Sequence, residues 1–177
     1  KERIQNEAVL VCTVVGFPHG THLPSVKRYE TEQAILDGAD EIDMVINVGA
    51  LKDKRYDIIH EEIKTVVEAA QGRTVKVILE TCYLTDEEII KACEIAVEEK
   101  ADFVKTSTGF GTAGATEHHV RLMRETVKDK AGVKASGGIR TYEDAMKMIE
   151  AGANRIDTSR GIQMIEKGDS HDSNTSY

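Results

Sequence analysis

Cysteine and proline are both scarce in this chain, and each scarcity excludes something. The three cysteines, Cys12, Cys82 and Cys93, are odd in number and fall at no metal-like spacing. Neither a disulfide framework nor a zinc site of paired thiolates fits them, and they suit a reducing cytosol. Each reads as a buried structural thiol in preference to a catalytic one. Two prolines among 177 residues, with 40% hydrophobic content, exclude a disordered or fibrous chain, and the length carries one sizeable core. Also missing are an apolar run long enough to cross a membrane and a basic start leading into a signal core. The expectation is an unexported, cytoplasmic protein. A net charge of −8 with mixed signs disfavours nucleic acid and anionic membrane as partners. An anionic small substrate then needs a locally positive site.

What is present is an alternation of short apolar runs with longer amphipathic ones, the pattern of βα units around a parallel sheet. The strand candidates are residues 8–15, 41–47, 75–80, 102–106, 133–136 and 155–158. In the segment YDIIHEEIKTVVEAA, residues Ile59, Ile63, Val66, Val67 and Ala70 fall on one helical face, and Glu61, Glu62, Lys64 and Glu68 on the other. Thr85 with Glu88 is a capping-box signature, and Thr141 with Asp144 imitates it with a shorter acid. A weak internal repeat, DGADEIDMV at 37, EKADFVKTS at 99 and AGANRIDTS at 151, ends a helix and enters a strand each time. Together with the absence of a Gly-x-Gly-x-x-Gly turn or a P-loop, this favours a (β/α) barrel over a nucleotide-binding sheet.

Barrels carry their functional groups at the C-terminal ends of strands. The polar residues there are Asp43, Glu80, Lys105, Lys134 and Ser159. Two lysines in consecutive units, each followed by small residues, stand out. An amine nucleophile must be neutral, and a second ammonium about 6 Å away at an effective dielectric near 20 lowers a lysine pKa by roughly two units. Lys105 is therefore the candidate Schiff-base nucleophile and Lys134 the group that perturbs it. Asp43 reads equally as a proton shuttle or as an acid that simply pairs with a lysine. The turns TSTGFG and SGGIR expose backbone N–H groups suited to phosphate.

At these residues the chain resembles a known family. GFPHG, ADEIDMVINVGALK, VKVILETCYLTDEE, ADFVKTSTGFGTAGAT and VKASGGIRTYEDA, in that order, are similar to deoxyribose-phosphate aldolases, class I aldolases on a TIM (β/α)8 barrel. The resemblance runs from about residue 9 to 161. It implies metal-independent and cofactor-independent cleavage of 2-deoxyribose 5-phosphate to acetaldehyde and glyceraldehyde 3-phosphate, with a small phosphorylated sugar as the partner and a homo-oligomer as one assembly. Carried over, Lys105 matches the Schiff-base lysine, Lys134 the perturbing lysine and Asp43 the acid/base. Gly109, Gly137, Gly138 and Ser159 match phosphate-loop positions.

The chain departs from the pattern in two places. It starts at what resembles the family's third strand, so six of eight βα units are expected, with residues 1–165 as an incomplete α/β barrel and 166–177 as a disordered polar tail. The absent units carry a DHT-type aspartate, and the expectation is a shortened chain with little activity alone. In RIDTSRG, Asp157 stands where the family has glycine and Arg160 where it has a small residue; a carboxylate there is expected beside the phosphate, countered by or paired with Arg160. Three rival readings compete with this one: a catalytically silent phosphate-binding or assembly protein, another Schiff-base barrel such as a transaldolase-like enzyme, and a metal site. The last would use His19, His22, His118 and His119, which read better as surface histidines.

Overall fold

The computed structural model describes residues 8–172. Six strands form one parallel sheet in sequence order: β1 (Cys12–Val15), β2 (Glu41–Val45), β3 (Thr74–Ile78), β4 (Phe103–Lys105), β5 (Gly132–Ser136) and β6 (Arg155–Asp157). Helices α1 (Pro24–Leu36), α2 (Val48–Lys52), α3 (Tyr56–Ala69), α4 (Asp86–Glu98), α5 (Glu117–Val127) and α6 (Tyr142–Glu150) fill the crossovers, and α7 (Gly161–Asp172) follows β6. All six expected strands are present; five are shorter than expected, and β5 is one residue longer. The segment read as a polar tail from residue 166 instead continues α7 to Asp172, and residues 173–177 lie outside the described residues. No helix among the described residues is long and apolar enough to cross a membrane.

The sheet is curled. Strands lie about 4.8 Å apart, so in a flat sheet β2 and β6 would be separated by roughly 19 Å. Yet Arg155 of β6 reaches Glu41 of β2 at 2.8 Å. This is an incomplete TIM-type α/β barrel, and among the described residues β1 and β6 each pair on one side only.

Alternation along the strands separates two environments. Ile42, Met44, Val75, Val77, Val104, Val133 and Ala135 point outward and join the core under the helices. A parallel strand covered on both faces ordinarily reads as a continuous apolar run. Here the intervening inward positions carry Glu41, Asp43, Lys76, Lys105, Lys134, Arg155 and Asp157, which meet one another through ion pairs. That departure marks where the chemistry lies.

The internal repeat has a structural cause. Asp40, Asp102 and Asn154 occupy one position of the three copies, just before β2, β4 and β6. Each side chain accepts from the backbone N–H that begins the preceding strand: Val11 at 2.8 Å, Val75 at 2.8 Å and Val133 at 2.9 Å. The backbone N–H of the same three residues returns to the carbonyls of Val11, Val75 and Val133. Two bonds thus set the start of each strand pair and its register.

Both capping boxes form, at Thr85 with Glu88 and at Thr141 with Asp144. In α3 the apolar face of Ile59, Ile63 and Val66 is buried as its spacing requires. Glu62, assigned to the solvent face, is completely buried instead. Its Oε2 lies 2.5 Å from Lys27 Nζ, its Oε1 accepts from the Asn47 N–H at 2.7 Å, and Lys27 also donates to the Val45 carbonyl at 2.7 Å. Burial pushes the Lys27 amine down and the Glu62 carboxyl up, with their mutual attraction opposing both. The pair clamps α1 and α3 onto the end of β2, the strand that carries Asp43.

Candidate active site

Lys105 and Lys134 are direct register partners on β4 and β5. In parallel strands such partners project to the same face, so both amines enter the barrel interior. Asp43 Oδ2 receives them together, with Lys105 Nζ and Lys134 Nζ each at 2.9 Å. The structure therefore brings together the three residues singled out for catalysis. A fourth group joins them: Asp157 Oδ2 lies 2.8 Å from Lys105 Nζ and 3.2 Å from Lys134 Nζ. Two ammoniums and two carboxylates alternate, each touching both opposite charges.

A second layer supports this square. Asp43 Oδ1 accepts from Lys76 Nζ at 2.9 Å and from the Cys12 thiol at 3.2 Å. Lys76, fully buried, also contacts Glu41 at 2.7 Å, and Arg155 holds both Glu41 oxygens at 2.8 Å. Burial raises the Asp43 pKa, but the charges of Lys105, Lys134 and Lys76 outweigh it and hold the carboxyl well below the usual carboxylate range. The Cys12 thiol is pushed up to about 11 by desolvation and by the Asp43 charge, so it stays protonated; of the three cysteines expected to be buried, however, only Cys93 is, Cys82 being intermediate and Cys12 exposed.

For Lys105 the structure corrects the electrostatic expectation. Burial lowers its pKa, yet the Asp43 charge and the hydrogen bonds to Asp157 and Asp43 raise it above the ordinary lysine value. Repulsion from Lys134 does not decide the proton, because the carboxylates between the two amines offset it. The sequence placed Asp157 beside the phosphate and missed its contacts with the two lysines. The signal was available in the repeat: Asp43, Lys105 and Asp157 occupy the same position of its three copies, and so the same inward place at three strand ends.

Next to the charged square is an open cavity of about 680 Å³ lined by Gly109, Gly137, Gly138 and Ser159, together with Thr108, Arg140, Asp157 and Arg160. The four positions carried over for phosphate thus share one wall. Gly137 and Gly138 are both left-handed, at φ +79° and +77°, a conformation that glycine adopts without strain. Gly114 packs the β4–α5 loop against this turn: a Cβ there would stand 2.2 Å from the Gly137 carbonyl oxygen. Glu80, buried at the end of β3, accepts from the Thr108 N–H at 3.2 Å and from the Thr108 hydroxyl, tying the same loop down from the other side. Its role is to hold the loop.

Among the described residues no three His, Cys, Asp or Glu side chains gather as a metal site. His118 is exposed and pairs with Asp86 at 2.7 Å.

The comparisons with known proteins agree with this geometry. Residues 3–164 match the model of the DeoC/LacD family aldolases. The deoxyribose-phosphate aldolase of Macrococcus caseolyticus is 61% identical over 173 residues, covering 96% of this chain and 79% of the relative. That of Thermococcus kodakarensis is 60% identical, covering 93% and 74%. Among solved structures, the aldolase QR15 superposes with a TM-score of 0.90 at 46% identity, covering 97% of this chain and 78% of its own. The deoxyribose phosphate aldolase of Aeropyrum pernix, described as a unique tetramer, superposes with a TM-score of 0.84 at 34% identity, covering 93% and 70%. With a parallel, curled α/β sheet, a lysine pair on one buried carboxylate and these relatives along nearly its whole length, the chain belongs to the DeoC/LacD aldolase family.

Proposed function

We propose that the chain cleaves 2-deoxyribose 5-phosphate reversibly to acetaldehyde and glyceraldehyde 3-phosphate through a Schiff base on Lys105. The observation that carries this reading is the lysine pair on Asp43, enclosed in the barrel beside an open glycine-lined cavity. The free amine of Lys105 adds to the C1 aldehyde, and the carbinolamine loses water to give an iminium. The C2–C3 bond then breaks: its electrons pass to C2 and the iminium, giving an enamine, while the C3 hydroxyl surrenders its proton and becomes the aldehyde of glyceraldehyde 3-phosphate. Protonation at C2 and hydrolysis release acetaldehyde and restore Lys105.

Asp43 is the enclosed carboxylate beside both amines, and in this reading it exchanges protons with substrate and water. Lys134 supplies the cation that keeps Asp43 ionised while Lys105 is in use. The N–H groups of Gly109, Gly137 and Gly138 and the Ser159 hydroxyl hold the phosphate, with Arg140 and Arg160 adding positive charge. No metal or cofactor enters these steps. Cytoplasmic residence and self-association belong to the same reading, supported by three free cysteines and by the tetrameric relative.

The test is incubation with 2-deoxyribose 5-phosphate and borohydride, followed by peptide mapping. A reduced adduct on the Lys105 peptide is expected. Phosphate binding by folded protein without an adduct would replace this reading with that of a silent phosphate-binding barrel, for which a lysine pair on one enclosed carboxylate has no evident use.

A further inference from the structure

We infer that Asp157 is a built-in counter-ion for Lys105, holding the amine as an ammonium in the substrate-free site so that attack on a carbonyl waits on loss of that contact. The inference rests on the reading of Lys105 as the reacting lysine. Asp157 acts on the reaction only through its contact with the Lys105 amine, as a positioning residue.

Three observations support it. Asp157 reaches Lys105 from β6, across the intervening β5, at 2.8 Å. Asp43 already supplies one carboxylate to the same amine at 2.9 Å, so Asp157 is a second, added charge. Its side chain is 43% exposed, against 2% for Asp43, and it lines the cavity. Of the two, Asp157 is therefore the one that can let go as the cavity fills.

The groups around Lys105 set the sign of the effect. Asp43 from β2 and Asp157 from β6 contact it directly. Lys134 from β5 shares both carboxylates, while Lys76 from β3 and Cys12 from β1 contact the other oxygen of Asp43. Glu41 and Arg155 pair with each other beyond Lys76. Removing Asp157 leaves one carboxylate between two ammoniums. The balance at Lys105 then tips toward the free amine, and repulsion by Lys134 regains weight. The ammonium proton passes to water, the amine lone pair forms the C–N bond, and the carbonyl oxygen leaves as water.

Competitive acetylation with acetic anhydride from about pH 6 to 11 reads the free-amine fraction of each lysine, whether or not an imine ever forms. In Asp157→Asn the Lys105 midpoint is expected to fall by about one pH unit, or about tenfold more free amine at neutral pH. Exposed Lys147 should not move. Asp157→Gly should behave alike if the amide packs poorly, and Asp157→Glu should restore the high midpoint. An unchanged or raised midpoint in folded Asp157→Asn and Asp157→Gly overturns the inference. Borohydride trapping with acetaldehyde is the separate check on the underlying reading. A shifted midpoint with no adduct on Lys105 at any pH would leave the counter-ion in place and remove the aldolase role of the lysine.

Discussion

Lys105 Nζ lies 2.9 Å from Asp43 Oδ2, joining residues 62 positions apart in a contact from which solvent is almost excluded. The Asp43 carboxylate carries three cationic contacts at once, from Lys76, Lys105 and Lys134. It is the hinge of the site's electrostatics. Whatever alters it alters the protonation of both catalytic candidates together.

Asp43→Asn separates its two possible uses. The amide keeps the shape but no longer offsets the lysines or accepts a proton. Turnover of 2-deoxyribose 5-phosphate should drop by about 10² to 10⁴, the range for loss of a general base. Borohydride trapping of Lys105 at neutral pH should hold steady or rise, because the variant loses a charge that keeps Lys105 protonated. Equal loss of trapping and turnover would mean that Asp43 only maintains the structure.

The buried Lys27–Glu62 contact predicts a stability effect away from the site. Lys27→Met leaves the Glu62 carboxyl buried without its partner, and removal of one member of such a pair costs about 3–5 kcal/mol. In Lys27→Met with Glu62→Gln, the amide oxygen can still accept from the Asn47 N–H, and at least about half of the loss should return. Urea midpoints of the three proteins check this. A Lys27→Met protein as stable as the parent would show that the pair contributes no clamp.

Acid should destabilise the fold in a definite window. Glu41, Asp43 and Asp157 are all burdened by desolvation, yet their lysine and arginine partners hold each carboxyl below its ordinary value. Groups depressed in the fold contribute stability that is complete above the unfolded pKa, about 4, and is lost as pH falls below it through the folded values. Glu62, pushed up by burial, acts in the opposite sense, as one group against three. Thermal midpoints followed by circular dichroism should change little from about pH 7 to 5 and fall steeply below about pH 4. A midpoint that stays level from about pH 5 to 3 contradicts the network's contribution.

Much of this molecule was legible before any coordinates. Strands announced themselves as short apolar runs, helix starts as Thr85–Glu88 and Thr141–Asp144, and the lysines as charges in runs that should have been apolar. Glu62 was misread because a carboxylate on a helix usually marks the solvent face, and nothing near it in sequence reveals Lys27, 35 residues away. Lys76, Glu41 and Arg155 passed unnoticed for a similar reason. Each is an ordinary surface residue by type, and becomes an ion-pair partner inside the barrel only when the sheet curls.

Local sequence alone determined which residues form strands and helices, because hydrophobic period, caps and turn glycines act over a few neighbours. It also marked Asp43, Lys105 and Lys134 as charged residues within strand runs. Only the tertiary structure decided what those groups do to one another. Curling the sheet brings β2 and β6 within reach, and in that enclosed space a contact of 3 Å outweighs any preference set by sequence spacing. There Asp157, expected beside a phosphate, lines that cavity and also meets the lysines, and the charge balance at Lys105 includes two carboxylates from other strands as well as the ammonium beside it.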